Sequence, residues 1–188
     1  MAHIDTSPIV RASVWIPVTD PALHAIDEAS RVARHCGGGP VIKPHLTLLM
    51  GIETTLESAN EKLRKLAIRL QPFTVQLGRV DWRHEYFRCL FVTAEPSEAL
   101  TEAHRLAHEI FEMNPPDPFE PHVSLIYGDI DERLKRDIAA ELGGAVHTSF
   151  TARAIQLVQA SADRPIPAWN VLSERPFGPE QPPQSRPS

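Results

Sequence analysis

Two short runs of this chain have the residue types to do chemistry: Pro44-His45-Leu46-Thr47-Leu48-Leu49 and Pro121-His122-Val123-Ser124-Leu125-Ile126. Both read proline, histidine, apolar, hydroxyl, apolar, apolar. A β-strand projects alternate side chains to one face. His45 therefore shares a face with Thr47, and His122 with Ser124, while Leu46, Leu48, Val123 and Leu125 turn to the opposite, buried face. Each copy offers one imidazole and one hydroxyl. An imidazole can take or give a proton near neutral pH. Two of them across a cleft can serve a phosphodiester as base and acid, and the hydroxyls can donate hydrogen bonds to its non-bridging oxygens. Such a site calls for no metal and no cofactor. The doubled run predicts two similar half-molecules that face a common groove.

The elements that must hold these strands follow from pattern and punctuation. Arg11 to Pro17 reads as a first strand. Asp20 is placed to cap a helix that has Pro21 at its first position and Leu23, Ile26, Ser30 and Ala33 at helical spacing. Gly37-Gly38-Gly39 reads as a flexible connection, since no Lys-Ser/Thr follows to make it a phosphate loop. The first histidine strand runs from about His45 to Ile52, and Thr54 with Glu57 reads as a capping box for a helix striped by Leu56, Ala59, Leu63, Leu66 and Leu70. Two alternating strands follow, Phe73 to Trp82 and Phe87 to Ala94. Ser97 opens a third helix, with Leu100, Ala103, Ala107 and Ile110 inward. After the second histidine strand, His122 to Gly128, come a helix with Leu134, Ile138 and Leu142, a strand from about Ser149 to Gln159, and a last strand from Ala168 to Glu174. The fold class is α+β: two pseudo-symmetric lobes, each an antiparallel sheet with outer helices, facing a central cleft. Residues 1–177 form one bilobal domain, and 178–188 read as a disordered tail rich in Pro, Gln and Ser.

Composition narrows the class of partner. The 188 residues are 42% hydrophobic and 23% charged, with a formal net charge of -5. Long-polymer binding through phosphates favours a basic surface, so this balance disfavours it. Cys36 and Cys89 lack metal or redox spacing, and neither a signal peptide nor a membrane-length apolar run is read. A cytoplasmic monomer with no membrane partner is expected. Seven further histidines occur. His24, His84, His104, His108 and His147 read as surface or structural, and the pair His104/His108 as a solvated helix face.

The doubled His-x-Thr/Ser frame resembles that of the two-histidine (2H) phosphoesterase superfamily, whose members include the RNA-terminus cyclic phosphodiesterases called 2′-5′ RNA ligases. With Ser13-Val14-Trp15, Tyr86-Phe87-Arg88-Cys89-Leu90-Phe91-Val92 and Tyr127, residues 11–174 look similar to the plant and yeast cyclic phosphodiesterase branch. The resemblance implies that His45 and His122 are the catalytic pair, that Thr47 and Ser124 bind phosphate, and that Trp15, Phe87 and Tyr127 line the substrate pocket. It implies a small cyclic-phosphate nucleotide as substrate, such as ADP-ribose 1″,2″-cyclic phosphate or a nucleoside 2′,3′-cyclic phosphate. RNA 3′ ends are the alternative substrate, and a non-catalytic nucleotide-binding module is the alternative function. Plant relatives carry additional cysteines that this chain lacks, so no redox behaviour is carried over.

Overall fold

The computed structural model describes residues 8–115, 118–143, 146–160 and 164–179. In chain order the elements are β1 (Ile9–Pro17), α1 (Ala22–Gly37), β2 (His45–Thr55), α2 (Leu56–Arg69), β3 (Phe73–Trp82), β4 (Leu90–Ala94), α3 (Glu98–Phe111), β5 (His122–Ile126), α4 (Glu132–Leu142), β6 (Ser149–Ala152), β7 (Ala154–Gln159) and β8 (Asn170–Pro176). The strands join in the order β6-β3-β4-β5-β2-β1-β7-β8, antiparallel throughout.

The middle of that order is a seam. β2 and β5 pair at Leu46 and Val123, both fully buried. On one side β6, β3, β4 and β5 carry α1 and α4; on the other β2, β1, β7 and β8 carry α2 and α3. Each half is thus four antiparallel strands with two helices, the α+β arrangement expected from the duplicated runs. The helices cross over: α1 follows β1 but packs on β5, and α3 follows β4 but packs on β2. The apolar residues of the histidine strands, Leu46, Leu48, Val123 and Leu125, all enter the core, as their alternation requires. Burying aliphatic side chains of this size contributes about 1.5–3 kcal/mol each.

Several boundaries differ from the sequence reading. Thr55, not Thr54, caps α2, its hydroxyl accepting from the Ser58 amide at 3.2 Å. Thr54 stays in the ladder opposite Val10, which extends β2 past Ile52. Asp20 does not cap α1. The helix begins after Pro21, and the Leu23 amide is taken by the Thr19 carbonyl at 3.1 Å. Phe87 lies in a 3₁₀ turn, Tyr86–Arg88, and the strand starts at Leu90. The expected strand from Ser149 to Gln159 is two strands, β6 on β3 in one half and β7 on β1 in the other. The buried positions explain it: Phe150 and Ala152, then Ile155 and Leu157, change parity across exposed Arg153. A second 3₁₀ turn, Ile166–Ala168, precedes β8.

His104 and His108 are buried rather than solvated, with His104 stacked on Phe119 at 3.8 Å between ring centroids. Gly39 is closely packed, not loose: a Cβ there would meet the Tyr127 carbonyl oxygen at 2.7 Å. Gly178, read as the start of the tail, is buried and donates to the Ala67 carbonyl at 3.0 Å. The rest of that reading, from 180 on, lies outside the described residues. No helix among the described residues is long and apolar enough to cross a membrane.

Candidate active site

The seam decides which side chains meet. Antiparallel pairing of Leu46 with Val123 brings His45 beside Ser124 and Thr47 beside His122 across the two central strands. All four line one cavity of about 290 Å³, together with Trp15, Phe87 and Tyr127. Every residue that the sequence singled out for the site therefore falls in one cleft.

Each imidazole is held the same way. The Nδ1 of His45 lies 2.7 Å from the Lys43 carbonyl oxygen, and the Nδ1 of His122 lies 2.9 Å from that of Glu120. A carbonyl only accepts, so in both rings Nδ1 carries the hydrogen and Nε2 keeps its lone pair. The second orienting contact is also repeated. Trp15 stands opposite Thr47 on β1 and stacks on His45 at 3.4 Å and 9°. Phe91 stands opposite Ser124 on β4 and packs on His122 at 4.9 Å and 56°. In each half an aromatic side chain across from the motif hydroxyl supports the motif histidine. Phe91 has the more tilted ring.

The electrostatics of the two rings differ. His45 is pushed down to about 4, chiefly by burial, with the Lys43 carbonyl opposing the fall and the neighbouring His122 adding to it. His122 is also lowered by burial, but there the Glu120 carbonyl, the Glu120 carboxylate and the Glu85 carboxylate pull upward against Arg88. Burial raises the Tyr127 phenol to about 12, with a smaller opposing influence of the Ser124 hydroxyl, so it is a protonated donor at neutral pH. The Ser124 hydroxyl donates to the Phe87 carbonyl at 3.3 Å, and the Gly128 amide to that of Tyr86 at 3.1 Å. These bonds pin the 3₁₀ turn over the end of β5.

The cleft holds residues that the sequence reading missed, among them Trp169, Arg88, Tyr86 and Met50. The Trp169 ring lies 6.0 Å from those of Trp15 and Phe87 and 6.1 Å from that of Tyr127. Its one sequence signal is a large aromatic just after Pro165-Ile166-Pro167, where no core periodicity asks for it. Arg88 is set by the turn and has no such signal.

Comparison with known proteins places this geometry. The family model of the 2′-5′ RNA ligase superfamily matches residues 17–164. A protein of Oceanobacillus iheyensis with a provisional phosphoesterase name is 34% identical over 106 residues, 54% of this chain and 62% of its own length, so the match spans under two thirds of that relative. The cyclic phosphodiesterase of Arabidopsis thaliana is 25% identical over 167 residues, 86% of this chain and 92% of its own. The crystal structure of Escherichia coli LigT with 3′-AMP superposes with a TM-score of 0.63 at 19% identity, covering 90% of this chain and 99% of that one, a likeness of fold. The duplicated motif, the paired half-sheets and the match over most of the chain agree: the protein belongs to the 2′-5′ RNA ligase superfamily of two-histidine phosphoesterases and is a phosphoesterase.

Proposed function

We propose that the chain is a metal-independent cyclic phosphodiesterase that hydrolyses the five-membered cyclic phosphate of a ribose by acid–base action of His45 and His122. One observation carries this reading. Both rings are tied through Nδ1 to the backbone two residues upstream, which leaves both Nε2 atoms for proton transfer in one cleft beside two hydroxyls. His45, held neutral by burial, takes the proton of an attacking water as its oxygen bonds to phosphorus. The phosphorus–oxygen bond to the ribose breaks, and His122 supplies the leaving oxygen with a proton. Thr47 and Ser124, the latter turning from the Phe87 carbonyl, donate to the non-bridging oxygens, where negative charge grows. The Tyr127 phenol is a third donor close to Ser124. Trp15, Phe87, Tyr127 and Trp169 form the wall for the nucleoside.

A nucleotide substrate is supported by that aromatic lining, by the name of the Arabidopsis relative, and by the 3′-AMP in the LigT structure. The test is a product assay by phosphorus NMR on ADP-ribose 1″,2″-cyclic phosphate, the four nucleoside 2′,3′-cyclic phosphates and an RNA with a cyclic end, with and without EDTA. Turnover of the small substrates in EDTA is expected. Turnover of the RNA alone would move the assignment to RNA 3′ ends. Tight binding without product would make the protein a nucleotide-binding module, and loss in EDTA restored by zinc or manganese would end the metal-free mechanism.

A further inference from the structure

The two halves support their histidines alike up to one point, where they part. Over the ring of Phe91, the aromatic partner of His122, lie two guanidinium groups: Arg83 at 5.6 Å and Arg88 at 5.7 Å from the ring centroid. Both reach the carboxylate of Glu120, Arg83 at 3.4 Å and Arg88 in closer contact. Glu120 is also the residue whose carbonyl fixes the Nδ1 hydrogen of His122. Arg88 further approaches Glu85 at 3.9 Å, and Arg83 approaches Asp81 at 3.5 Å. The loop bearing the arginines is itself closed, by the Arg83 amide on the Arg88 carbonyl at 3.0 Å and by the Lys135 ammonium on the Arg83 carbonyl at 3.0 Å.

From this geometry we infer that Arg83, Glu120 and Arg88 form a charged clamp that positions His122 and sets its readiness to hold a proton, making it the acid of the pair. The inference rests on the proposed two-histidine function and deepens it, and these three are positioning residues. The clamp acts by two routes. Mechanically, two arginines fix the Glu120 side chain and so the carbonyl that orients the ring, while their guanidinium groups lie over Phe91, the ring on which His122 packs. Electrostatically, burial and Arg88 oppose the imidazolium while Glu120 and Glu85 favour it, so the proton affinity of His122 depends on opposing charges at its flank. Among the described residues no such carboxylate acts on His45: its ring is stacked on Trp15, and burial, the Lys43 carbonyl and His122 set its proton affinity. One ring is thereby held neutral and the other can be loaded.

The test removes each end of the ion pair separately. Glu120→Gln should lower the His122 pKa, and Arg88→Gln should raise it, each by about half a unit to one unit for charges near a protein surface. Arg88→Lys, which keeps the charge, should leave the pKa in place and lower kcat more than it changes KM, because a point charge cannot grip both sides as a planar fork does. The His122 ring is titrated by NMR in the free protein, and the same variants are assayed for the alkaline limb of kcat/KM. An ion pair with no hold on the ring would leave the kcat of Arg88→Lys unchanged, and that result, or His122 pKa values that do not move in opposite directions in Glu120→Gln and Arg88→Gln, overturns the clamp. Glu120 is well exposed, so Glu120→Gln carries the test alone if Arg88→Gln does not fold: an unchanged or raised pKa rejects the inference. Failure of the underlying function is distinguishable, since the unsubstituted protein would then turn over no cyclic phosphate while the ring titration still reports.

Discussion

At the scale of single residues, the site is two imidazoles in matched hydrogen bonds but unmatched surroundings. Replacing either His45 or His122 with alanine should lower kcat by roughly 10²–10⁴, the usual worth of a positioned acid or base. Circular dichroism should show the fold retained, and near-native turnover in a folded variant would rule out the two-histidine mechanism. The pH profile is more specific. Ordinary histidines would put a bell near neutrality, but here both rings are lowered, His45 to about 4. With His45 needed neutral and His122 needed protonated, the optimum of kcat/KM should lie on the acid side of 6.5. A bound phosphodiester anion favours imidazolium, so the kcat profile should sit to the alkaline side of the kcat/KM profile. A free-enzyme optimum at or above pH 7 would contradict the buried, neutral site. Trp15 has one face on His45 and is 5% exposed, so it has a double duty. Trp15→Ala should lower both Tm and kcat, whereas a residue serving the nucleoside alone would raise KM with Tm intact.

At the scale of elements, the strands that carry the motifs are positioned from both ends, and the start of β5's exit is braced by a connection. Gly38 and Gly39 both have positive φ, 74° and 95°, where an L side chain is strained by about 1–3 kcal/mol. They differ in surroundings. Nothing lies within 4 Å of a Cβ at Gly38, while one at Gly39 would strike the Tyr127 carbonyl oxygen at 2.7 Å and the Ile126 side chain at 3.1 Å. Gly38→Ala should therefore lose stability and keep activity. Gly39→Ala should lose more of both, because backbone at the end of β5 must move and Tyr127 moves with it. Paired Tm and kcat/KM measurements decide; equal effects would mean that Gly39 matters only for its φ. The histidine strands, the stripes of α2 and α3 and the Ser97 cap were legible because strand alternation, helical spacing and capping chemistry are local signals. The split at Arg153 was visible only as a change of parity, and which half each piece joins is a matter of tertiary pairing. Of the cleft, the residues repeated in the two motifs could be read directly. Phe91, Trp169 and the arginines on the loop before β4 could not, because their place in the site depends on strand pairing and on turns that bring distant segments together.

At the scale of the whole molecule, the same burial that prepares the cleft gives folding a pH dependence. His45 and His104 are each lowered to about 4, and His108 and His122 are lowered as well, with burial the leading cause in all four. His104 stacks on Phe119, on the segment that leads to Glu120 and His122, so the two regions are joined by packing. As pH falls below 6.5, the unfolded chain protonates its histidines, while the native state keeps His45 and His104 neutral until pH approaches 4 and takes up protons on His108 and His122 later than the unfolded chain does. The unfolded state then binds more protons, and stability drops with pH across that window; it is fully present above 6.5. Each unit by which a buried histidine is lowered is worth about 1.4 kcal/mol. Urea unfolding at pH 7 and pH 5 should show a clear loss of midpoint at the lower pH. The loss should be smaller in His45→Gln, which cannot titrate, because one of the contributing groups has been removed. An equal loss in the variant would mean that His45 is not held neutral by the fold, and the assignment of the ready base in the cleft would fall with it.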